Sequence, residues 1–216
     1  MSDSMADPVN PADARLNSLL IEAGYDPLDL TLASRFDLYL SLILRWNTRI
    51  NLTAIRDEEG ILSRHFVESI ACARALPAGI ATLLDFGSGA GFPGIPIALC
   101  RPEIAVTLAE STSKKAAFLQ EGIRVLDITA KVHSQRAELL PNPFDCVTLR
   151  AVDRMELAVQ AAAKLVRPGG WLALMTTRTE VTRLQEAGGS SYSWPKLLPL
   201  AGSDDLVLVI GSRSRE

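Results

Sequence analysis

Between residues 11 and 76 apolar side chains recur at three- and four-residue steps: Leu32, Phe36, Tyr39, Leu40, Ile43 and Leu44 trace the stripe of a buried helix face. Asp57 is a good N-cap for a further helix that carries Ile61, Leu62, Phe66, Ile70 and Ala73. Nothing in this stretch alternates as a strand does. From Ala81 the texture changes to short apolar runs separated by helix-length segments, predicting strands over 82–86, 105–109, 130–133, 146–149, 171–175 and 206–210. Helices are predicted over 93–100, 113–126, 154–166 and 180–187, and this alternation builds a mostly parallel sheet covered on both faces. The Pro-Gly-Gly run at 168–170 is expected to end a helix as a turn before the fifth strand. After Pro195 the last two strands follow without a helix between them, which predicts an antiparallel hairpin at one sheet edge. Residues 1–10 are polar and aperiodic and read as a mobile tail. The organisation expected is thus tail (1–10), helical extension (11–79) and α/β domain (80–216).

Composition narrows the class. In 216 residues, 48% apolar and 22% charged, there is enough to fill a core, and a low-complexity or repeat architecture is excluded. The longest apolar runs, 38–44 and 95–100, fall far short of the ~20 residues that cross a bilayer, so no membrane association is expected. The acidic start (Asp3, Asp7, Asp13) lacks the cationic and apolar regions of a secretory signal, and a cytoplasmic location is expected. Cys72, Cys100 and Cys146 fit neither a disulfide framework nor a zinc motif and read as buried free thiols. His65 and His133 are too isolated to suggest a metal site. The net charge of −3 argues against binding nucleic acid by bulk charge, so such a partner must meet a local patch.

The sharpest local signal is Leu83-Leu84-Asp85-Phe86-Gly87-Ser88-Gly89-Ala90-Gly91-Phe92-Pro93-Gly94, an apolar strand that runs through three alternate glycines into a helix. Glycines let the backbone approach a ligand closely, and a helix start offers amides to a polar group. Gly89, Gly91 and Gly94 spell GxGxxG, a weak dinucleotide motif whose register is wrong here, because the glycine directly after the strand is Gly87. Asp85 would repel a diphosphate and attract the ammonium of a methionine moiety, which favours S-adenosylmethionine over NAD. Glu110, 23 residues beyond Gly87, stands where a carboxylate can accept the hydroxyls of an adenosine ribose, a role either cofactor would use.

DFGSGAGFPGIPIAL, ESTSKKAAFL, HSQRAE and FDCVTLRA, together with the upstream WNTRINLTAIRDEEGILSRHFVESI, resemble the bacterial 16S rRNA guanine-N7 methyltransferases, also called glucose-inhibited division protein B. The resemblance spans roughly residues 38–174. It implies a class I S-adenosylmethionine-dependent methyltransferase fold: Rossmann-like, with a mostly parallel seven-stranded sheet, an antiparallel edge and an N-terminal helical extension. It also implies cofactor contacts at Gly87, Phe92, Ala137, Glu138 and Arg150, with Glu110 on the ribose and Asp85 and Gly89 beside the loop. Two departures stand out: Thr176-Thr177-Arg178 where the family commonly has Lys-Gly after the fifth strand, and Phe86 in place of a more usual Val.

Guanine N7 carries a lone pair and no proton, so the reaction implied needs no general base, and no catalytic acid or base is expected. The partner implied is 16S rRNA, in a structured small-subunit particle because residues 1–80 hold seven bases against eleven acids. Candidate RNA contacts are Arg45 and Arg49, one helical turn apart, with Arg56, Arg64, Lys114 and Lys115. His65 reads either as a substrate contact or as a histidine on a helix surface. Cys146, inside an apolar strand, is assigned to the core. A monomer is favoured. A small-molecule methyltransferase and an NAD(P)-binding regulator are the competing functions.

Overall fold

The computed structural model describes residues 11–200 and 205–215; the tail reading for residues 1–10 lies outside them. The first helices are α1 (Pro11–Glu22) and α2 (Leu30–Asn47), the latter capped by Asp29, whose side chain accepts from the Leu32 amide at 2.8 Å. The helix expected from Asp57 does begin there, with the Asp57 carboxylate accepting from the Gly60 amide at 2.7 Å. It is not uniform, however. A short α3 (Glu58–Gly60) passes into a π-helical segment (Ile61–Val67) and then α4 (Glu68–Ala75). Segments of this wide winding concentrate at functional sites, and this one carries Arg64 and His65.

The remaining chain forms seven strands: β1 (Thr82–Phe86), β2 (Ala105–Ala109), β3 (Ala130–His133), β4 (Phe144–Arg150), β5 (Val166–Thr177), β6 (Tyr192–Pro199) and β7 (Leu206–Arg213). Their spatial order is β3-β2-β1-β4-β5-β7-β6. The first five strands are parallel to their neighbours, and β7 runs antiparallel between β5 and β6. Helices α5 (Gly94–Cys100), α6 (Ser113–Val125), α7 (Met155–Lys164) and α8 (Val181–Gly188) fill the connections.

Alternate residues of the central strands feed opposite cores, which is why β1 is apolar nearly throughout. Leu83 joins a core shared with Phe36, Tyr39, Phe66, Ile95 and Phe118, so the N-terminal helices and one sheet face are packed around a single interior. Leu84 faces the other side, with Val159, Ala162 and Leu184 of α7 and α8.

Three sequence expectations change. The Pro-Gly-Gly run is not a free turn; it lies within β5, which starts at Val166 opposite Phe144 and shifts register before Trp171 pairs with Cys146. Likewise β6 starts at Tyr192, ahead of Pro195, and absorbs that proline at a register shift between Ser193 and Lys196 on the sheet's edge, where a missing N–H costs no ladder bond. Finally, Cys72 and Cys146 are buried free thiols as expected, but Cys100 at the end of α5 is only half-buried.

Candidate functional site

Because β1 to β4 are parallel, their carboxyl ends share one edge of the sheet, and β1 and β4 flank the point where strand order reverses. Crevices at such a switch point are where ligands bind in open α/β sheets. The residues singled out from sequence fall along this edge: Gly87 and Gly89 directly after β1, Glu110 after β2, Ala137 and Glu138 in a short 3-10 turn after β3, and Arg150 as the last residue of β4.

The loop after β1 is held from several sides. Ser88 donates its amide to the Ala109 carbonyl at 2.9 Å, and Tyr39 of α2 donates its hydroxyl to the Ala90 carbonyl at 2.5 Å. Gly91 has φ +90°, and a Cβ there would stand 2.6 Å from Ile95 and 2.7 Å from the Tyr39 hydroxyl. At Gly94 a Cβ would overlap the Leu108 side chain and lie 2.7 Å from Asp85 Oδ2. Glycine is therefore required at both positions by close packing, and the turn cannot be rebuilt with larger residues.

Asp85 was expected beside the cavity. It is 1% exposed, with one carboxylate oxygen accepting from the Thr148 hydroxyl at 3.0 Å and the other from the Gly94 amide at 3.2 Å. Burial pushes its carboxyl up to about 6, against the pull of Ser88, Thr148, Gly94 and Arg150. Its direct contacts brace the loop and the start of α5. Glu110, 8% exposed, accepts from the Gly89 amide at 3.1 Å and from the Thr112 amide at 2.7 Å, one bond per oxygen. A carboxylate oxygen has two lone pairs, so each retains a position for a further donor. Ala137 is buried; Glu138 sits 3.4 Å from Arg136.

Phe92 is the hub of an aromatic cluster. Its ring centroid lies 4.6 Å from that of His65, 5.5 Å from Tyr39 and 5.9 Å from Phe66, and the Arg150 guanidinium stands 5.9 Å from it. Arg150 is also tied to the helical extension, donating to Glu68 Oε2 at 2.5 Å, the Arg64 carbonyl at 2.6 Å and Ser69 Oγ at 3.3 Å. Arg150 Nη2 further stands 3.0 Å from His65 Nδ1, and Thr53 Oγ1 lies 2.7 Å from Nε2. A guanidinium only donates, so Nδ1 accepts, and Nε2 carries the proton toward Thr53. Burial, reinforced by Arg150 and Arg64, pushes the imidazole down to about 3, and it is neutral near pH 7. The reading of His65 as a helix-surface residue is thereby corrected: half-buried, it stacks on Phe92 and meets Arg150 and Thr53.

Of the candidate RNA cations, the structure gathers three. Arg49, Lys114 and Lys115 line one cavity of about 330 Å³, with Ile50, Asn51 and Thr112. The other three are engaged: Arg45 with Glu121, Arg56 with Asn51 and Arg64 with Glu68. Arg45 and Arg49 do not share a helix turn as expected, because α2 ends at Asn47 and Arg49 lies in the turn that follows. Sequence reasoning missed Glu68 and Tyr39.

A mostly parallel seven-stranded sheet with one antiparallel strand inserted near its edge, and a glycine loop at the switch point, defines the class I methyltransferase fold. Solved structures agree on the fold. A SAM-dependent methyltransferase from Aquifex aeolicus superposes with TM-score 0.57 at 15% identity, covering 71% of this chain and 93% of that one. A ribosomal protein L11 methylase from Lactobacillus delbrueckii subsp. bulgaricus gives 0.59 at 10% identity, over 70% and 79%. Sequence comparison is more specific. Residues 32–193 match the family described as rRNA small subunit methyltransferase G, and the chain belongs to that family. Its relatives include the ribosomal RNA small subunit methyltransferase G of Xanthomonas oryzae pv. oryzae, 42% identical over 189 residues that cover 84% of this chain and 88% of that protein. The protein of the same name from Roseiflexus sp. is 43% identical over 150 residues, covering 66% and 64%.

Proposed function

We propose that this chain transfers the methyl group of S-adenosylmethionine to N7 of a guanine in 16S rRNA. The observation that carries the cofactor half is Glu110: a nearly buried carboxylate at the tip of β2, steadied by Gly89 and Thr112, with an acceptor position left on each oxygen. That donor-hungry carboxylate beside a glycine loop fits an adenosine ribose. Gly87, Gly89 and Phe92 would lie along the cofactor's body, Ala137 and Glu138 beside its adenine, and Arg150 beside its carboxylate, with Asp85 supporting the loop from beneath. The rRNA half rests on family membership.

The bound cofactor supplies an electrophilic methyl group on a sulfonium. The acceptor nitrogen has a free lone pair and loses no proton on attack, so the protein's work is alignment and exclusion of water, worth ~7–11 kcal/mol where orientation is complete. The residues present suit that division of labour. His65 is held neutral with both nitrogens committed, Tyr39 spends its proton on the Ala90 carbonyl, and Asp85 is engaged by Thr148 and Gly94.

Mass mapping of small-subunit rRNA from cells that lack the protein is the test. The expected result is one guanine without its methyl group, restored by the wild type and not by Gly87→Asp or Arg150→Ala. An unchanged modification pattern, or calorimetry in which NAD(H) binds in preference to S-adenosylmethionine, overturns the proposal.

A further inference from the structure

The cavity between the turn after α2 and the start of α6 brings three cationic side chains to one place. Arg49 comes from one segment, Lys114 and Lys115 from another more than sixty residues along, and Asn51 and Thr112 complete the polar wall. None of these three cationic side chains makes an ion pair or hydrogen bond among the described residues, whereas Arg45, Arg56 and Arg64 all have partners. No acidic residue among those described lines the cavity. Of the acids on the adjoining segments, Glu121 is paired with Arg45 and accepts from the Trp46 indole N–H at 3.0 Å, and Glu110 faces the Gly89 and Thr112 amides with its free positions assigned above to the ribose. Three cationic side chains without an ion-pair partner among the described residues line one concavity, in a chain whose net charge is −3. Such a site is complementary to a polyanion.

Its location says which one. Thr112 lines the cavity and donates its amide to Glu110, the carboxylate assigned above to the cofactor's ribose. The one anionic group of S-adenosylmethionine, its carboxylate, is assigned above to Arg150, so an anion here comes from the other substrate. We infer that the Arg49–Lys114–Lys115 cavity is the subsite that seats a backbone phosphate of the rRNA strand next to the target guanine. The inference rests on the rRNA substrate proposed above. It gives the locally segregated positive patch that the overall charge demands, and it fixes the strand against a point on the frame that also holds the cofactor, since phosphate contacts set register rather than read bases.

Binding of small ribosomal subunits from cells lacking the protein, measured against salt concentration with the demethylated cofactor product present, tests this without turnover. The triple variant Arg49→Gln, Lys114→Gln, Lys115→Gln is expected to lower the steepness of the log affinity against log salt plot by about 0.7–0.9, the share of one seated phosphate, and each single variant by a part of that. Cofactor affinity by calorimetry should stay at the wild-type value, which also certifies folding. Lys164→Gln, at the end of α7, outside the cavity, should leave the slope unchanged. A triple variant with the wild-type slope overturns the inference, as does cofactor affinity that falls in step with RNA affinity. Tight binding of inorganic phosphate with no change in the RNA slope also overturns it, in favour of a free-anion site. Particles bound with the wild-type slope but never methylated would sink the reaction proposed above, while the variants' slopes would still decide the subsite.

Discussion

Glu68 and Arg150 join the helical extension to the cofactor edge of the sheet: the guanidinium at the end of β4 donates to a carboxylate of α4 at 2.5 Å, with the two side chains 1% and 13% exposed respectively. Burial pushes the Glu68 carboxyl up from its ordinary value, while Arg150 and Arg64 pull it back. Removing one member strands the other in a dry site, which typically costs ~3–5 kcal/mol. Glu68→Ala and Arg150→Ala should each destabilise by about 3 kcal/mol in urea unfolding, and the double variant by clearly less than the sum, a coupling of ~1–3 kcal/mol. Additive effects would mean the pair is incidental. Glu68→Ala should also weaken cofactor binding although Glu68 is not assigned any contact with it, because Arg150 and the Phe92 face it covers would be released.

Two glycines separate close packing from backbone strain. Gly79 has φ +78° with nothing within 4 Å of where a Cβ would stand, whereas Gly94 has ordinary φ but a Cβ would press on Leu108 and Asp85. Gly79→Ala should therefore cost ~1–2 kcal/mol through its left-handed backbone and leave cofactor affinity alone. Gly94→Ala should cost up to ~3 kcal/mol by overpacking and also loosen the cofactor, since the strained neighbours are the loop's own supports. Urea midpoints and calorimetric affinities on the two variants decide it; equal effects on affinity would contradict the packing account.

The glycine loop and Glu110 are legible in the chain because their signals are local: an apolar run that stops at Gly87, and an acid at the end of the next run. Glu68 is not. An acid four residues after Arg64 has the pattern of a surface pair, and only Arg150, 82 residues further on, makes it an interior one. The starts of β5 and β6 are hidden for a related reason: Pro168 and Pro195 act as breakers in sequence, and only the neighbouring strands show that bulges accommodate them. The placement of His65 is hidden likewise, because its partners Phe92 and Arg150 lie 27 and 85 residues further on.

Asp85 gives the stability a testable pH signature. In the unfolded chain the carboxyl ionises at its ordinary value of 3.8, and in the folded protein burial lifts this to about 6. Between the two the folded state holds the extra proton, so this residue's contribution falls as pH rises through that window and levels off above it. His65 works in the opposite sense. Its unfolded imidazole takes up a proton below 6.5 while the folded one resists down to about 3, so its contribution erodes on acidification. Comparing wild type with Asp85→Asn cancels the histidine. The stability difference between them should move against the wild type by up to about 3 kcal/mol from pH 4 to pH 7. A difference that does not vary with pH would show that Asp85 ionises in the folded protein at its ordinary value.

The pH dependence of methyl transfer should carry no histidine. His65 is stacked on Phe92, its Nδ1 accepting from Arg150 and its Nε2 donating to Thr53. With its pKa near 3 it has no proton equilibrium near neutrality, and its lone pair is not free to take a proton from a substrate. His65 should therefore add no rising limb to single-turnover transfer to undermethylated small subunits between about pH 6 and pH 8, as a general base of ordinary imidazole pKa would; a limb there that Asp85→Asn removes belongs to Asp85, which titrates at about 6. His65→Phe keeps the stacking face but surrenders both hydrogen bonds. It should lower the single-turnover rate several-fold by freeing Arg150 Nη2 from one of its partners, and the profile should keep its shape. A limb near pH 6.5 in the wild type that disappears in His65→Phe would instead make the imidazole a proton acceptor and require a different chemistry at this site.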